Sequence, residues 1–160
     1  ECEKAVEKIA KSYRPISSLR DLDISDIAQI KNILDEKLFR RASFVIKENQ
    51  RVIDAKQALL DDDLTALGKL LSASHDGLSL DYEVSCLELD WLVNVASENE
   101  NILGARMMGG GFGGCTINLV KGQLEEKWIN EISKMYKLNF GMDMSILPIQ
   151  SGYGIQLYQS

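Results

Sequence analysis

Apolar positions in the first part of the chain recur at helical spacing, and after Asn99 the pattern changes to that of strands. Ala5, Val6 and Ile9 sit among alternating charges over Glu1–Ser12, which reads as the end of a helix begun upstream, and Arg14-Pro15 stops it. Ile24–Leu34 predicts a short helix with Ile27, Ile30 and Leu34 on one face and Asp23 or Ser25 as its cap. The clearest helix runs from Lys37 to Leu60. Leu38, Val45, Val52 and Leu59 recur every seven residues, and Phe39, Ile46, Ile53 and Leu60 repeat that spacing one step on. The doubled stripe is wider than a coiled-coil seam, so it predicts a helix packed in a globular core. Leu64, Leu67, Leu71 and Leu78, with Ser74, mark the next helix, expected to pair antiparallel with it.

The acids Asp61-Asp62-Asp63 precede that helix. Negative charge offsets the positive end of the helix dipole, which explains the run better than a metal site does. Asp81-Tyr82-Glu83-Val84 reads as a loop, and Ser85 with Glu88 as a capping box for a helix carrying Leu89, Leu92, Val93 and Ala96. Strands are expected over Ile102–Met107 and Cys115–Val120, then a helix over Gln123–Lys137. A hairpin of Ser145–Ile149 and Tyr153–Tyr158 closes the chain across Gln150-Ser151-Gly152. The fold class is α+β in a single domain, 1–160. A helical first half, 1–98, packs on a four-stranded antiparallel sheet, with 99–160 running β-loop-β-α-β-β.

Composition narrows the function classes. The 160 residues are 45% hydrophobic and 26% charged, an ordinary globular balance. A net charge of −6 argues against nucleic acid or an anionic membrane as partner. No apolar run approaches the ~20 residues of a membrane span. The chain opens at Glu1-Cys2-Glu3 without methionine, as a fragment does. Three cysteines without a Cys-x-x-Cys pair predict free thiols in a reducing, cytoplasmic setting, and a single histidine makes a zinc site improbable. His75 beside Asp76 has the residue types for acid–base work, but no nucleophile neighbours it, and a structural hydrogen-bonding role is expected.

Six of the chain's twelve glycines lie between Gly104 and Gly114. Glycine loses the most backbone freedom on folding, so such a cluster needs a reason: positive φ, or close approach of backbone amides to something bulky. Gly109, Gly111 and Gly114 satisfy Gly-x-Gly-x-x-Gly, but a dinucleotide site needs a helix to follow, and Cys115–Val120 is a strand. No Walker lysine follows, and the protein-kinase motifs are absent. Two readings of the residues stay open: an anion-binding loop between antiparallel strands, or a glycine bulge for tight packing against a helix.

The stretch Gly104–Val120 closely resembles the third conserved motif of galactokinases, sugar kinases of the GHMP family. Ser18-Leu19-Arg20-Asp21, Phe39-Arg40-Arg41-Ala42, Glu48-Asn49, Ser74-His75 and Asp81-Tyr82-Glu83-Val84-Ser85-Cys86 are similar to that family in the same order. The likeness covers nearly the whole chain and loosens over its end. Leu87 stands where the family usually has proline, and Met108 where it usually has threonine.

The resemblance implies the carboxy-terminal domain of a GHMP kinase, with a ferredoxin-like core. It also implies transfer of the ATP γ-phosphate to the anomeric hydroxyl of galactose, with ATP and Mg used by the full-length enzyme. The family's Gly-Leu-Ser-Ser phosphate loop, aspartate base and most sugar-binding residues belong to the amino-terminal half, and none of those motifs occurs here. No catalytic residue and no metal ligand is therefore expected in this chain, which alone should be inactive. Its contribution to the cleft would be the backbone of Gly109, Gly110, Gly111, Gly113 and Gly114, with Phe112 anchoring the loop in the core. Arg106, Asp81, Tyr82 and Ser85 would support that geometry, Arg106 either toward phosphate or paired with a carboxylate. The expected partners are galactose and ATP with the missing half, and self-association through the exposed inter-domain face. An N-acetylgalactosamine kinase, a non-catalytic galactose-responsive regulator and a purely assembly role are the alternatives.

Overall fold

The computed structural model describes residues 1–150 and 152. They fall into two compact units, Glu1–Leu124 and a second beginning at Glu125. The first unit carries α1 (Cys2–Ser12), two short 3-10 turns (Leu19–Asp21 and Ile24–Asp26), α2 (Ile27–Ile30), α3 (Glu36–Leu60) and α4 (Leu64–Asp76). A π-helical turn (Gly77–Asp81), α5 (Leu87–Ser97), β1 (Ile102–Met108) and β2 (Cys115–Val120) follow. The second unit contributes α6 (Glu126–Phe140), ended by Gly141 in the left-handed region at φ +70°.

Aspartates start the helices. The Asp35 carboxylate accepts from the Leu38 amide at 3.0 Å and that of Asp63 from the Ala66 amide at 2.8 Å, each meeting a donor that the first helical turn leaves over. Ile24–Leu34 is not the single helix its apolar spacing suggests. Asp23 caps Ser25 while the Asp26 carboxylate reaches back to the Asp23 amide, Tyr13 and Arg14, tightening the segment into a 3-10 turn and one α-turn.

One core cluster joins Ala5 and Ile9 of α1, Leu19, Leu22, Ile30 and Leu34, and Leu38, Ala42 and Ile46 of α3. Each large side chain there stabilises by about 1.5–3 kcal/mol relative to exposure. The stripe of α3 outlasts this cover. Val52 and Leu60 are 65% and 70% exposed, and beyond Ile46 only Ala58 of the helix is buried among the described residues.

α4 crosses β1 with almost no side chain between them. A Cβ on Gly104 would lie 1.9 Å from the Gly68 carbonyl oxygen, and one on Gly68 would lie 2.1 Å from that of Leu103. β1 pairs antiparallel with β2, Ile102 facing Val120 and Gly104 facing Leu119, so Leu103 is an extra residue in the ladder.

Among the described residues the sheet has two strands. Ser145–Ile149, expected as a third, has no regular structure; Pro148 lacks the amide a ladder requires. Tyr153–Tyr158, expected as the fourth, lies outside the described residues. α6 begins later than Gln123 because Glu125 is still extended, at ψ 132°.

Candidate functional site

β1 and β2 close at Met108 and Cys115, and Gly109–Gly114 spans the end of the hairpin. Gly109, Gly111, Gly113 and Gly114 have φ of +91°, +87°, +136° and +104°, angles that side-chain-bearing residues rarely adopt. A Cβ on Gly109, Gly110 or Gly113 would meet nothing within 4 Å. Gly111 differs, because its Cβ would sit 2.0 Å from the Val84 carbonyl oxygen. The loop thus combines both readings of its glycines, packed at one position and open at the others.

Among the described residues only one amide of this loop has a protein acceptor: Phe112 donates to the Val84 carbonyl at 2.7 Å. The amides of Gly109, Gly110, Gly111, Gly113 and Gly114 meet no protein acceptor among the described residues. Closely spaced free amides on such a backbone suit an anion. Phe112 is not the core anchor its flanking glycines suggest; its ring is 77% exposed. With φ at +61° and its amide tied to Val84, its side chain is turned outward.

The seat beneath the loop is the segment Asp81–Ser85. Arg41, 6% exposed at its side chain, donates to the Asp81 carbonyl, to the Glu83 carboxylate and to Glu1. Arg40 pairs with the other Glu83 oxygen at 3.0 Å and donates to the Leu80 carbonyl at 3.3 Å. Between these guanidiniums Glu83 sits at φ +56°, and they hold its carboxyl below the usual range, the Arg41 bond foremost. The Tyr82 ring packs on Phe44 with centroids 5.0 Å apart, and its hydroxyl lies 3.5 Å from the Cys2 thiol.

Ser85 does not cap α5. Cys86 holds that position, and the Ser85 hydroxyl donates instead to Asp90, which also accepts from Ser79 at 3.0 Å. His75 joins the same carboxylate, with Nε2 3.3 Å from Asp90. Its Nδ1 accepts the Met107 amide at 3.2 Å, so His75 links α4 to β1 in its neutral form. Burial keeps its pKa below the ordinary value. Arg106 donates to the Met107 carbonyl at 3.0 Å and to Glu48 at 3.4 Å, where Ser74 and Arg51 also converge. Its carboxylate partner comes from α3.

The family described as GHMP kinases C terminal matches residues 55–138, and the chain belongs to it. A galactokinase from Enterococcus faecalis is 42% identical over 149 residues, covering 92% of this chain and 38% of the relative. One from Thermotoga petrophila is 40% identical over 156 residues, covering 98% of this chain and 42% of the relative. One from Fusobacterium nucleatum is 37% identical over 154 residues, covering 96% of this chain and 40% of the relative. The crystal structure of Lactococcus lactis galactokinase complexed with galactose matches with a TM-score of 0.82 at 35% identity, covering 89% of this chain and 37% of that one. The chain therefore spans about two-fifths of the length of the curated relatives it matches.

Sequence reasoning gave Arg40, Arg41 and Glu48 no role at the site, and placed Glu83 only within the supporting Asp81–Val84 loop. A signal for Arg41 was present: it falls three residues after Leu38 and four before Val45, inside the apolar stripe of α3. An arginine there must be buried with partners, which marks it for attention.

Proposed function

We propose that this chain is the carboxy-terminal half of a galactokinase, in which Gly109–Gly114 forms the floor of the phosphoryl-transfer cleft. The observation that carries this reading is the set of glycine amides without an acceptor among the described residues, on a loop open at Gly109, Gly110 and Gly113. Likeness to galactokinases over most of the chain, and to a structure complexed with galactose, supports the substrate. In the longer protein, ATP would supply the phosphoryl group transferred to the anomeric hydroxyl of galactose, and Mg would neutralise charge on its phosphates. The backbone at Gly109, Gly110, Gly111, Gly113 and Gly114 binds and orients anionic oxygens. Asp81, Tyr82 and Ser85 hold that backbone in place, and Arg106, engaged with Glu48, steadies the strand entering it.

Catalytic groups are assigned to the rest of the longer protein and no metal ligand to this chain. Residues 1–160 are read as one structural half, whose full sheet would have four strands. We place the protein in the cytoplasm, without nucleic-acid or membrane partners; among the described residues no helix is long and apolar enough to cross a membrane. The bare half of α3 favours self-association of the chain on its own.

Turnover of galactose by the longer protein tests the reading. Gly110→Val, at a residue with open space and no positive φ, should lower kcat by ~100-fold or more, because a side chain over the amides forfeits charge stabilisation, while the protein stays folded. Loss of folding with unchanged turnover per folded molecule would refute it. So would galactose 1-phosphate formed by the 160-residue chain alone.

A further inference from the structure

We propose that Arg41 and Glu83 are positioning residues for the glycine loop: together they fix the Val84 carbonyl on which Gly111 and Phe112 rest. The inference rests on reading the loop as part of a phosphoryl-transfer cleft, but its geometry is independent of that reading.

Two left-handed residues face each other across one hydrogen bond. Glu83 has φ +56° and Phe112 has φ +61°, and the carbonyl between them belongs to Val84, directly after Glu83. Neither residue is glycine, and each such conformation is strained, so the surroundings must hold it. For Glu83 they do. Arg41 and Arg40 take one carboxylate oxygen each, and the same guanidiniums hold the Asp81 and Leu80 carbonyls.

The segment is tied from its other side by Tyr82 donating to the Gly77 carbonyl at 2.8 Å and Val84 to that of Leu78 at 3.0 Å. The Val84 carbonyl is therefore held from two sides, by the arginines of α3 and by the π-helical turn. Above it there is no slack. The Phe112 bond is 2.7 Å, and the Gly111 backbone lies too close for even a methyl group. A small rotation of the Val84 peptide would move the whole row of free amides, and a phosphoryl-transfer floor tolerates little displacement.

Amide hydrogen exchange by NMR on the 160-residue chain tests the proposal without reference to catalysis. In Arg41→Ala and in Glu83→Gln the Phe112 amide should exchange at least ~10-fold faster, while the β1–β2 ladder amides keep their rates. Arg41→Lys should be intermediate, since one ammonium cannot reproduce a three-way guanidinium grip. Unchanged Phe112 exchange in folded variants would overturn the proposal, as would an equal rise across loop and ladder, the mark of a general stabilising role. Should Arg41→Ala not fold, Glu83→Gln decides alone, because its carboxyl group is half-exposed and its shape is kept. If the loop loosens in the variants while Gly110→Val leaves galactose turnover untouched in the longer protein, the positioning stands and the cleft reading falls.

Discussion

Two sets of glycines in this chain do opposite things. Gly68 and Gly104 let α4 and β1 touch backbone to backbone, so the missing side chain is replaced by protein. Gly109, Gly110 and Gly113 stand over empty space, where a side chain would fit but would cover the amides. A count of glycines cannot separate these cases. What separates them is the atom that a Cβ would meet, and that atom lies elsewhere in the sequence.

The sharpest way to break the comparison is Gly104→Val. Its side chain would occupy the volume of the Gly68 carbonyl, so a loss of about 3 kcal/mol or more is expected, enough to abolish the folded state. Chemical denaturation followed by circular dichroism checks this; a folded Gly104→Val chain of normal stability would show that α4 and β1 are not in contact.

His75→Ala should follow at about 1–3 kcal/mol, since it leaves the Met107 amide buried without an acceptor at the same α4–β1 contact. The pH dependence has a definite sign. Because the folded pKa of His75 is depressed below 6.5, its contribution is complete above that pH and falls as the pH drops toward the folded value. Unfolding curves between pH 7.5 and 5 should therefore show a downward slope that His75→Ala removes; the depressed carboxylates Asp26 and Glu83 act only in the more acidic range, below their ordinary values of 3.8 and 4.5.

In the loop the effects on stability should be small. Phe112→Gly relieves a left-handed side chain and removes little burial, so the chain should be stabilised by up to about 1 kcal/mol or be unchanged. A loss beyond that range in thermal unfolding would mean that the ring packs after all. Gly110→Ala should be smallest, within about 0.5 kcal/mol, since Gly110 has open space and no positive φ.

Much of this architecture was legible in the residues. The seven-residue recurrence in α3, the strand pair around the glycines, the cap at Asp23 and the acids that precede α4 follow from local rules, and the structure has them. Local rules failed where a distant partner decides. Ser85 matches a capping box, but Asp90 takes its hydroxyl and Cys86 becomes the cap. Phe112 looks like an anchor until the bond to Val84 turns it outward. The spacing over Ser145–Ile149 suggests a strand, yet Pro148 interrupts the amides it would offer. At the site, the loop itself could be found from its glycines. The segment Asp81–Ser85 beneath it could be placed from its likeness to the family, but the grip of Arg41 on Glu83 could not, because only the fold brings those two together.

The additional residue at Leu103 has one more effect, on which side chains face inward. Strict alternation from Ile102 would send Gly104 and Arg106 to the buried side and Met107 away from it. The bulge resets the phase, so Gly104 and Ala105 are both buried, Met107 follows them, and Arg106 emerges half-buried beside Glu48. Forcing Leu103 into regular pairing would exchange those addresses, driving a guanidinium into the apolar layer and a methionine out of it, whereas deleting Leu103 would leave Ala105 and Met107 inward.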